Sequence, residues 1–317
     1  MKKESVLPEI VPANKEEIVY SIIIPHKNIP DLLWRCLDSI PQRPDIQIIV
    51  VDDNSSPDKV DFAHFPGRER EEVEIVYTHE GLGAGYARNV GLGHARGRWL
   101  LFADADDYFL PDFLEMADRY KDSDLDLIVF RAESADSESL EPMRPRQRCH
   151  DDLSENVDWE RIRFRIYAPW AKMISRRFQV ARQLSFEEIP VANDMMFSVY
   201  TDYYACRVAV CSGSIYCATV RQGSLEYGLV LDHLLLRVSK SCRLNHFLRK
   251  QGVVDRYSGS FTYVHACKTG FGRKEYYKAL WIYVREERPE LVLRTFKNLL
   301  RDKVKQILKE KHGIIDV

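Results

Sequence analysis

The 317-residue sequence predicts an α/β protein with a mostly parallel sheet and helices on both faces. Three observations predict this class. Short apolar runs rich in β-branched residues alternate with segments whose apolar residues recur at helical spacing. Polar and glycine-containing segments follow successive apolar runs, at the edge where open α/β sheets bind ligands. From about residue 229 the spacing is helical, which predicts an added C-terminal helical region.

The elements follow one another in a β-α-β-α order, so neighbouring strands are expected to be parallel and one crevice is expected along the sheet edge. Strands are predicted at 18–24, 46–51, 73–77, 99–103 and 125–130, and near 208–210 and 214–220. Helices are predicted at 31–40, 113–120 and 193–200 and within 81–97. Residues 134–160 are acidic and serine-rich and then basic, and we expect a mobile excursion over the site.

Composition and charge exclude several classes of protein. The net charge of −2 gives no general attraction to nucleic acid, and no basic surface interleaved with aromatic residues dominates the sequence. The polar residues 1–17 contain no continuous apolar segment, so they predict an arm without a signal peptide. No apolar run reaches 18 residues, which argues against a transmembrane helix. We therefore expect a cytoplasmic protein.

Seven cysteines are scattered without a C-x-x-C pair, which favours free thiols in a reducing compartment. Cys206, Cys211 and Cys217 lie in one apolar region. A zinc site built from these three is one interpretation, and buried thiols in strands are the favoured one.

Three carboxylates cluster directly after the fourth predicted strand. Asp104, Asp106 and Asp107 follow the apolar run 99–103, so they are expected at the carboxyl edge of the sheet. Three acids within four residues repel one another in a dry site, and a divalent cation that prefers oxygen ligands relieves that repulsion. The cluster therefore predicts a metal site for a phosphate-bearing ligand. The alternative is a helix start, with an Asp at the N-cap.

A glycine-rich loop precedes this strand. Gly81, Gly83 and Gly85 permit close backbone approach to a bulky anion, although the spacing is not that of a dinucleotide fingerprint and a flexible turn is the alternative. Arg88 follows the loop, where a fixed cation contacts phosphate or base, or else makes a surface salt bridge.

Acids also follow the second predicted strand and precede an apolar helix. Asp52 and Asp53 are candidates to accept hydrogen bonds from a nucleobase or a ribose, and an Asx turn is the alternative. Asp194 is a candidate to take a proton from an attacking hydroxyl. From the residues alone, placement at a helix N-terminus explains Asp194 better.

Eight short segments occur in a characteristic order and spacing between residues 18 and 225. They are 21–28, 36–40, 48–55, 87–92, 102–107, 169–172, 186–188 with 193–197, and 221–224. Together they resemble an inverting family 2 glycosyltransferase of the GT-A fold, which is a nucleotide-diphospho-sugar transferase fold related to the Rossmann fold. The resemblance implies a GT-A domain at 18–225, which we expect to lie between an arm at 1–17 and a helical region at 226–317.

The resemblance implies a nucleotide-sugar donor, expected to be a UDP-sugar, and a divalent metal, Mn²⁺ or Mg²⁺. Asp106, the second acid of the D-x-D motif, would bind the metal. Asp52 or Asp53 would hold the base, Arg88 would lie near the base or pyrophosphate, and Asp104 would contact the ribose. The donor-binding residues so implied are Pro25, Lys27, Asp52, Asp53, Arg88 and Asp104.

On the acceptor side, Asp194 matches the family's base, which deprotonates the attacking hydroxyl. Trp170 and Asn193 are the implied acceptor-side residues, with a core role for Trp170 as the alternative. The sequence departs from the family pattern at three positions. Lys27 replaces the usual aromatic residue, Gly81 replaces the frequent Asn, and Asn193 replaces the usual Glu before the base.

The resemblance thus implies transfer of a sugar to a sugar or lipid-linked saccharide acceptor, in cell-surface polysaccharide or glycolipid biosynthesis. A non-catalytic nucleotide-sugar-binding protein on the same fold is the main alternative, and a nucleotidyltransferase is another. The last helical segment, 291–308, is basic and amphipathic. It predicts either peripheral contact with the inner face of the cytoplasmic membrane or a docked helix with a solvated basic face. A homodimer through the C-terminal helices is a further alternative.

Overall fold

The computed structural model describes residues 17–143, 150, 153, 159–221, 230–253 and 259–312. Within these residues the chain forms one eight-stranded sheet and ten helices. The strands are β1 (Tyr20–His26), β2 (Ile46–Asp53), β3 (Val73–Thr78), β4 (Trp99–Phe102), β5 (Tyr108–Phe109), β6 (Leu127–Asp136), β7 (Lys172–Ser175) and β8 (Val208–Val220). The helices are α1 (Pro30–Asp38), α2 (Ala84–His94), α3 (Phe113–Asp118), α4 (Trp159–Ile162), α5 (Arg176–Arg182), α6 (Met195–Tyr204), α7 (Leu231–Lys250), α8 (Ser260–Phe271), α9 (Arg273–Glu286) and α10 (Pro289–His312).

The sheet is mixed and mostly parallel, which confirms the predicted fold class. Its strand order is β3-β2-β1-β4-β7-β6-β8-β5. The first four strands in this order are parallel neighbours, β7 runs antiparallel to both β4 and β6, and β8 runs parallel to β6. In the register, His26 lies opposite Asp52 and Ile23 lies opposite Phe102. The carboxyl ends of β1, β2 and β4 therefore meet at one edge.

Two apolar layers cover the two faces of the sheet. Alternate residues of β1 point to opposite faces, because side chains in a strand alternate. Ile22 and Ile24 pack with α1 and α3 on one face, and Ile23 packs with α2, α5 and α6 on the other. Every residue of β1 and β2 is buried, as expected for parallel strands covered on both sides.

The C-terminal helices pack as an additional layer. Helices α7, α8 and α9 share a small core that includes Val238, Val264 and Tyr283. A second cluster joins α7 to α6, where Leu244 and Leu248 pack with Met195. This contact sets α7 beside the amino-terminal end of α6.

Several predicted elements differ from the structure. The excursion expected at 134–160 begins later, because β6 continues to Asp136 and pairs with β8 along its length. The rest of that segment lies mainly outside the described residues. The predicted strands 208–210 and 214–220 are one strand, β8, with a register shift opposite Val129 to Ala132. Strand β5, which pairs with β8 before α3 begins, has no counterpart among the predicted elements.

The cysteines do not form the alternative zinc site. Cys217 is buried in β8, Cys211 is half-buried in the same strand, and Cys206 is exposed before it. Among the described residues, no three His, Cys, Asp or Glu side chains are placed to hold a metal ion.

Asp126 ties the start of β6 to the start of β8. Its carboxylate accepts hydrogen bonds from the backbone N–H groups of Cys206 and Arg207, both at 3.0 Å, and from the Arg207 guanidinium at 2.9 Å. Burial raises the pKa of Asp126, but these three hydrogen bonds outweigh burial and hold the pKa below its ordinary value. The carboxylate therefore stabilises the folded state only while it is ionised.

Replacing Asp126 with Ala should lower the free energy of unfolding by about 2 kcal/mol at pH 7, because two part-buried backbone N–H groups and the Arg207 guanidinium lose their acceptor. A lowered pKa makes this contribution present above the ordinary Asp pKa of about 3.9 and progressively absent as the pH falls below it. Urea unfolding at pH 7 and pH 3 should therefore show a smaller difference between mutant and wild type in acid.

The matched control is Asp124→Ala, which removes the other, exposed carboxylate that pairs with Arg207. This change should cost less than about 1 kcal/mol. Equal destabilisation by the two substitutions would contradict the role assigned to Asp126.

Candidate active site

The carboxyl end of β1 brings a proline and a lysine to the predicted crevice. Pro25 is the buried penultimate residue of β1, and Lys27 follows the strand with an exposed side chain. His26 points the other way, where Nδ1 lies 2.8 Å from Asp52 Oδ2. The ring also packs edge-on against Phe65. Pro25 and Lys27 line the cavity described below, and His26 anchors the loop beneath them.

Asp52 and Asp53 are neighbours with different surroundings. Asp52 is held by His26 and by both the N–H and the hydroxyl of Ser55. Burial raises the pKa of Asp52, but the hydrogen bonds from His26 and Ser55 outweigh burial and lower the pKa. Asp52 is thus engaged by the protein itself.

Asp53 retains an unused acceptor. Its Oδ2 accepts the N–H of Gly83 at 2.9 Å and lies 3.3 Å from Lys27 Nζ. Its Oδ1 is buried and accepts no hydrogen bond from any described residue. Because a buried acceptor without a donor is costly, this oxygen is suited to an N–H group of a ligand.

The glycine loop positions backbone rather than side chains. Gly83 adopts φ of +95°, in the region that favours glycine, and its N–H is the one that Asp53 accepts. A Cβ on Gly85 would lie 2.1 Å from the carbonyl oxygen of Glu187. The loop can therefore approach the segment before α6 only because position 85 has no side chain.

Arg88 connects the two halves of the site. Its side chain leaves α2, is 5% exposed, and forms an ion pair with Asp104. It also donates to Asn193 Oδ1 at 2.9 Å, and its guanidinium lies 5.3 Å from the ring centroid of Phe186. The structure thus makes Arg88 a buried bridge and not the surface salt bridge considered above.

The three acids after β4 do not form one cluster. Asp104 and Asp106 are half-buried and line the cavity. Asp107 is fully buried and points into the protein, where Tyr216 donates at 2.9 Å and the N–H of Thr219 at 2.6 Å. The repulsion expected among three acids is therefore confined to two, which corrects the sequence-based argument.

The two remaining acids are already paired. Asp104 pairs with Arg88, and Asp106 Oδ2 lies 3.0 Å from Arg221 Nε. Arg35 and Thr219 hold the Asp106 backbone carbonyl from the other side. Two carboxylates suit a Mg²⁺ or Mn²⁺ ion that takes its other ligands from phosphates and water. This donor set fits an ion that arrives with a diphosphate, since the described residues offer no third acidic or imidazole ligand.

Asp194 lies at the N-cap position of α6 and is half-buried in the cavity wall. Its side chain makes no capping hydrogen bond to the backbone of the described helix, but its position is the placement at a helix N-terminus that the residues alone favoured. Asn193 is buried beside it and is held by Arg88.

Trp170 is not brought to the cavity. It is 5% exposed, and its ring stacks against His150 and against Tyr216, with a centroid distance of 5.3 Å to each. Because the ring is buried against two other rings, the structure gives Trp170 the core role that was the alternative.

One cavity of about 640 Å³ is lined by seven of the candidate residues, whereas Asp53 is not among its lining residues and Asp52 lines a different cavity. Pro25, Lys27, Arg88, Asp104 and Asp106 line it from the sheet edge, and Asn193 and Asp194 from the start of α6. Sequence reasoning assigned no role to four further lining residues. They are Tyr167, Arg221, Arg237 and Tyr263. Arg221 stood in a recognised segment, but nothing in the sequence pattern distinguished Arg237 or Tyr263, whose helices had to be packed first.

Solved structures with the same fold include two glycosyltransferases. The crystal structure of S. aureus TarS 1-349 in complex with UDP-GlcNAc has a TM-score of 0.57 and 20% identity, covering 79% of this chain and 80% of that chain. The mannosyltransferase PcManGT from Pyrobaculum calidifontis in complex with GDP-Man and Mn²⁺ has a TM-score of 0.51 and 17% identity, covering 89% and 79%. At these identities the similarity establishes the fold.

Sequence relatives cover parts of the chain. Glycosyltransferase EpsH of Bacillus subtilis is 26% identical over 204 residues, which are 62% of this chain and 59% of EpsH. A poly(ribitol-phosphate) beta-glucosyltransferase of Bacillus spizizenii is 37% identical over 93 residues, 28% of this chain and 15% of that protein.

The model of the family described as Glycosyl transferase family 2 matches residues 21–189, just over half of the chain. This match covers β1 to β4, both acids of the D-x-D motif and the segment before Asp194, and it confirms the family that the sequence motifs resemble. The chain belongs to glycosyl transferase family 2.

Proposed function

We propose that this protein transfers a sugar from a nucleoside-diphosphate donor to an acceptor hydroxyl, with inversion at the anomeric carbon. The observation that carries the proposal is the composition of one cavity. Asp104 and Asp106 line it from the carboxyl end of β4, and Asp194 lines it from the start of α6. A volume of about 640 Å³ is in the range of sites that hold cofactor-sized ligands.

The donor base is proposed to lie against Asp53. The buried Oδ1 of Asp53 accepts an N–H from the base edge, such as the imide N–H of uracil, and this favours a UDP-sugar. Lys27, which pairs with Asp53, then moves to the base or phosphates. Asp52 keeps His26 and Ser55 in place below the loop and does not contact the donor.

The diphosphate is proposed to lie beside Asp104 and Asp106. A divalent cation, when bound by Asp106 with the diphosphate, supplies charge stabilisation for the leaving group. Arg221 then leaves Asp106 free to bind the cation and turns to the phosphates. The paired N–H groups of its planar guanidinium suit two phosphate oxygens. Arg88 holds Asp104 in position for the ribose.

The reaction then needs one proton transfer by the protein. Asp194 accepts the proton of the acceptor hydroxyl as the hydroxyl oxygen forms a bond to the anomeric carbon. The bond from that carbon to the phosphate oxygen breaks, and the electron pair leaves with the nucleoside diphosphate. Attack from the face opposite the diphosphate inverts the anomeric configuration.

The relatives suggest where the product is used. EpsH is named a glycosyltransferase, and another relative acts on poly(ribitol-phosphate) by its name. We therefore propose an acceptor in cell-surface polysaccharide or glycolipid assembly, at the inner face of the cytoplasmic membrane. Among the described residues, no helix is long and apolar enough to cross a membrane.

Peripheral membrane contact is supported by α9 and α10. Tyr277, Trp281 and Val284 recur at helical spacing on α9 and are exposed, with Tyr277 64% and Trp281 60% accessible. Leu293 and Leu300 are similarly exposed on α10. Residues 226–317 contain 19 Lys or Arg and 10 Asp or Glu, a net charge of +9 in a chain of net charge −2. Apolar stripes on a basic region are complementary to an anionic membrane surface.

The first test separates Asp53 from Asp52. Asp53→Asn should weaken UDP binding by about tenfold, because a charge-assisted hydrogen bond to the base is lost. Asp52→Asn should leave UDP affinity within about twofold and lower the melting temperature, because His26 and Ser55 lose a buried partner. Calorimetric titration with UDP and Mn²⁺ measures the first effect and thermal unfolding the second. The reverse pattern would assign the base contact to Asp52.

The catalytic assignment is tested with Asp194→Asn. This change should retain Mn²⁺-dependent donor binding and lower acceptor-dependent release of nucleoside diphosphate by about 10²–10⁴-fold. The contrasting variant is Asp106→Ala, which should lose the metal dependence of donor binding. Substantial transfer by Asp194→Asn would contradict the assignment of Asp194 as the base. Equal donor binding by the wild type with and without Mn²⁺ would contradict the proposed metal site.

Membrane contact is tested by cosedimentation with vesicles that contain phosphatidylglycerol and with neutral phosphatidylcholine vesicles. The protein should bind the anionic vesicles, and Trp281→Ser should weaken binding by about tenfold because a large side chain no longer enters the interface. Val180→Ser on α5, which removes an exposed apolar side chain elsewhere, is the matched control. Equal binding to the neutral vesicles would contradict an electrostatic attraction between the basic region and anionic lipid. Dimerisation lost in Trp281→Ser, without vesicle binding, would identify the face as an interface between copies.

A further inference from the structure

The basic residues of the cavity are not equivalent. Four basic residues line the cavity, and three of them pair with a carboxylate of the chain. These three pairs are Lys27 with Asp53, Arg88 with Asp104, and Arg221 with Asp106. The fourth, Arg237, is half-buried on α7 and has no hydrogen bond or ion pair with any described residue.

Two other basic residues of α7 are paired with a carboxylate. Lys240 lies 2.9 Å from Glu187, and Arg243 pairs with the same carboxylate. These contacts join α7 to the segment before α6. Arg237 comes one turn earlier on α7 and faces the cavity instead. Because the described residues give this half-buried guanidinium no partner, it is suited to bind an anion.

The position of Arg237 separates it from the donor side. Most residues proposed for the donor lie on or directly after β1, β2 and β4 or on α2, and Arg221 follows β8, whereas Arg237 comes from α7. Helix α7 packs against α6 through Leu244 and Leu248, next to Met195, which directly follows Asp194. Tyr263 on α8 lines the same cavity and adds an aromatic ring to this wall. Arg237 therefore enters from the side that carries the proposed base.

We propose that Arg237 binds a phosphate group of the acceptor, so that the acceptor of the proposed transfer is a phosphate-bearing molecule. A guanidinium binds phosphate oxygens through paired N–H groups, and Tyr263 offers a ring against which a sugar or polyol packs. The same chemistry comes from two sources, a polyol-phosphate chain or a lipid-linked diphosphate. The identification of this ligand as the acceptor rests on the proposed function. Binding of an anion at Arg237 can be measured without any sugar transfer.

The experiment titrates the full chain, saturated with UDP and Mn²⁺, with glycerol 3-phosphate and with glycerol. The wild type should bind the phosphate and not glycerol. Arg237→Gln should weaken phosphate binding by at least about tenfold, as removal of a charge-assisted hydrogen bond does, and leave UDP affinity within about twofold. Arg237→Lys should recover part of the affinity. Lys268→Gln removes the same charge from an exposed position on α8 and should change neither ligand.

Two further ligands distinguish the sources. Tighter binding of bis(glycerol) phosphate indicates a polyol-phosphate chain, and tighter binding of geranyl diphosphate indicates a lipid carrier. Phosphate binding that is unchanged in Arg237→Gln would overturn the proposal, and so would an equal loss of UDP affinity, which would assign Arg237 to the donor. Failure of UDP to bind at all would instead count against the proposed function. The phosphate titration is repeated without nucleotide, so Arg237 is tested in either case.

Discussion

The buried guanidinium of Arg88 is the interaction on which the geometry of the site depends. It joins Asp104, which follows β4, to Asn193, which precedes α6. Among the described residues, no other hydrogen bond or ion pair joins the acid motif to Asn193, although Phe102 at the end of β4 packs against Phe186 and Phe197. The Nε of Arg88 is buried and has no partner among the described residues, so the bridge already carries an unsatisfied donor. Loss of either partner would leave a buried charge still less compensated, which is strongly destabilising.

Asn193 explains how this bridge accommodates a departure from the family pattern. A Glu at that position would give Arg88 two carboxylates, and the buried group would carry a net negative charge. With Asn193, Arg88 has one anionic partner, Asp104, and one neutral acceptor. The pair is then electrically balanced in a region of low dielectric, where an excess charge is costly. The absence of the Glu is therefore consistent with an intact site.

Much of the fold was predictable from the sequence, because β1 to β4 are short buried runs and parallel strands place their carboxyl ends together. The roles of adjacent residues were harder to predict. Asp106 and Asp107 differ by one position, yet one lines the cavity and the other accepts hydrogen bonds from Tyr216 and Thr219. No local sequence pattern indicates this difference, because Tyr216 and Thr219 lie on β8, more than a hundred residues further along the chain. For the same reason Trp170 could not be assigned between core and cavity before its two stacking rings were known.

The pairing of Asp106 with Arg221 has a consequence for selectivity. A ligand that separates this pair must supply a cation to the carboxylate and an anion to the guanidinium together. A diphosphate carrying its own divalent ion does both, whereas a neutral nucleoside does neither and a monophosphate offers fewer oxygens to share between ion and arginine. Under the proposed function, the site would therefore discriminate among nucleotides by what each supplies to Asp106 and Arg221 in exchange for the contact between them.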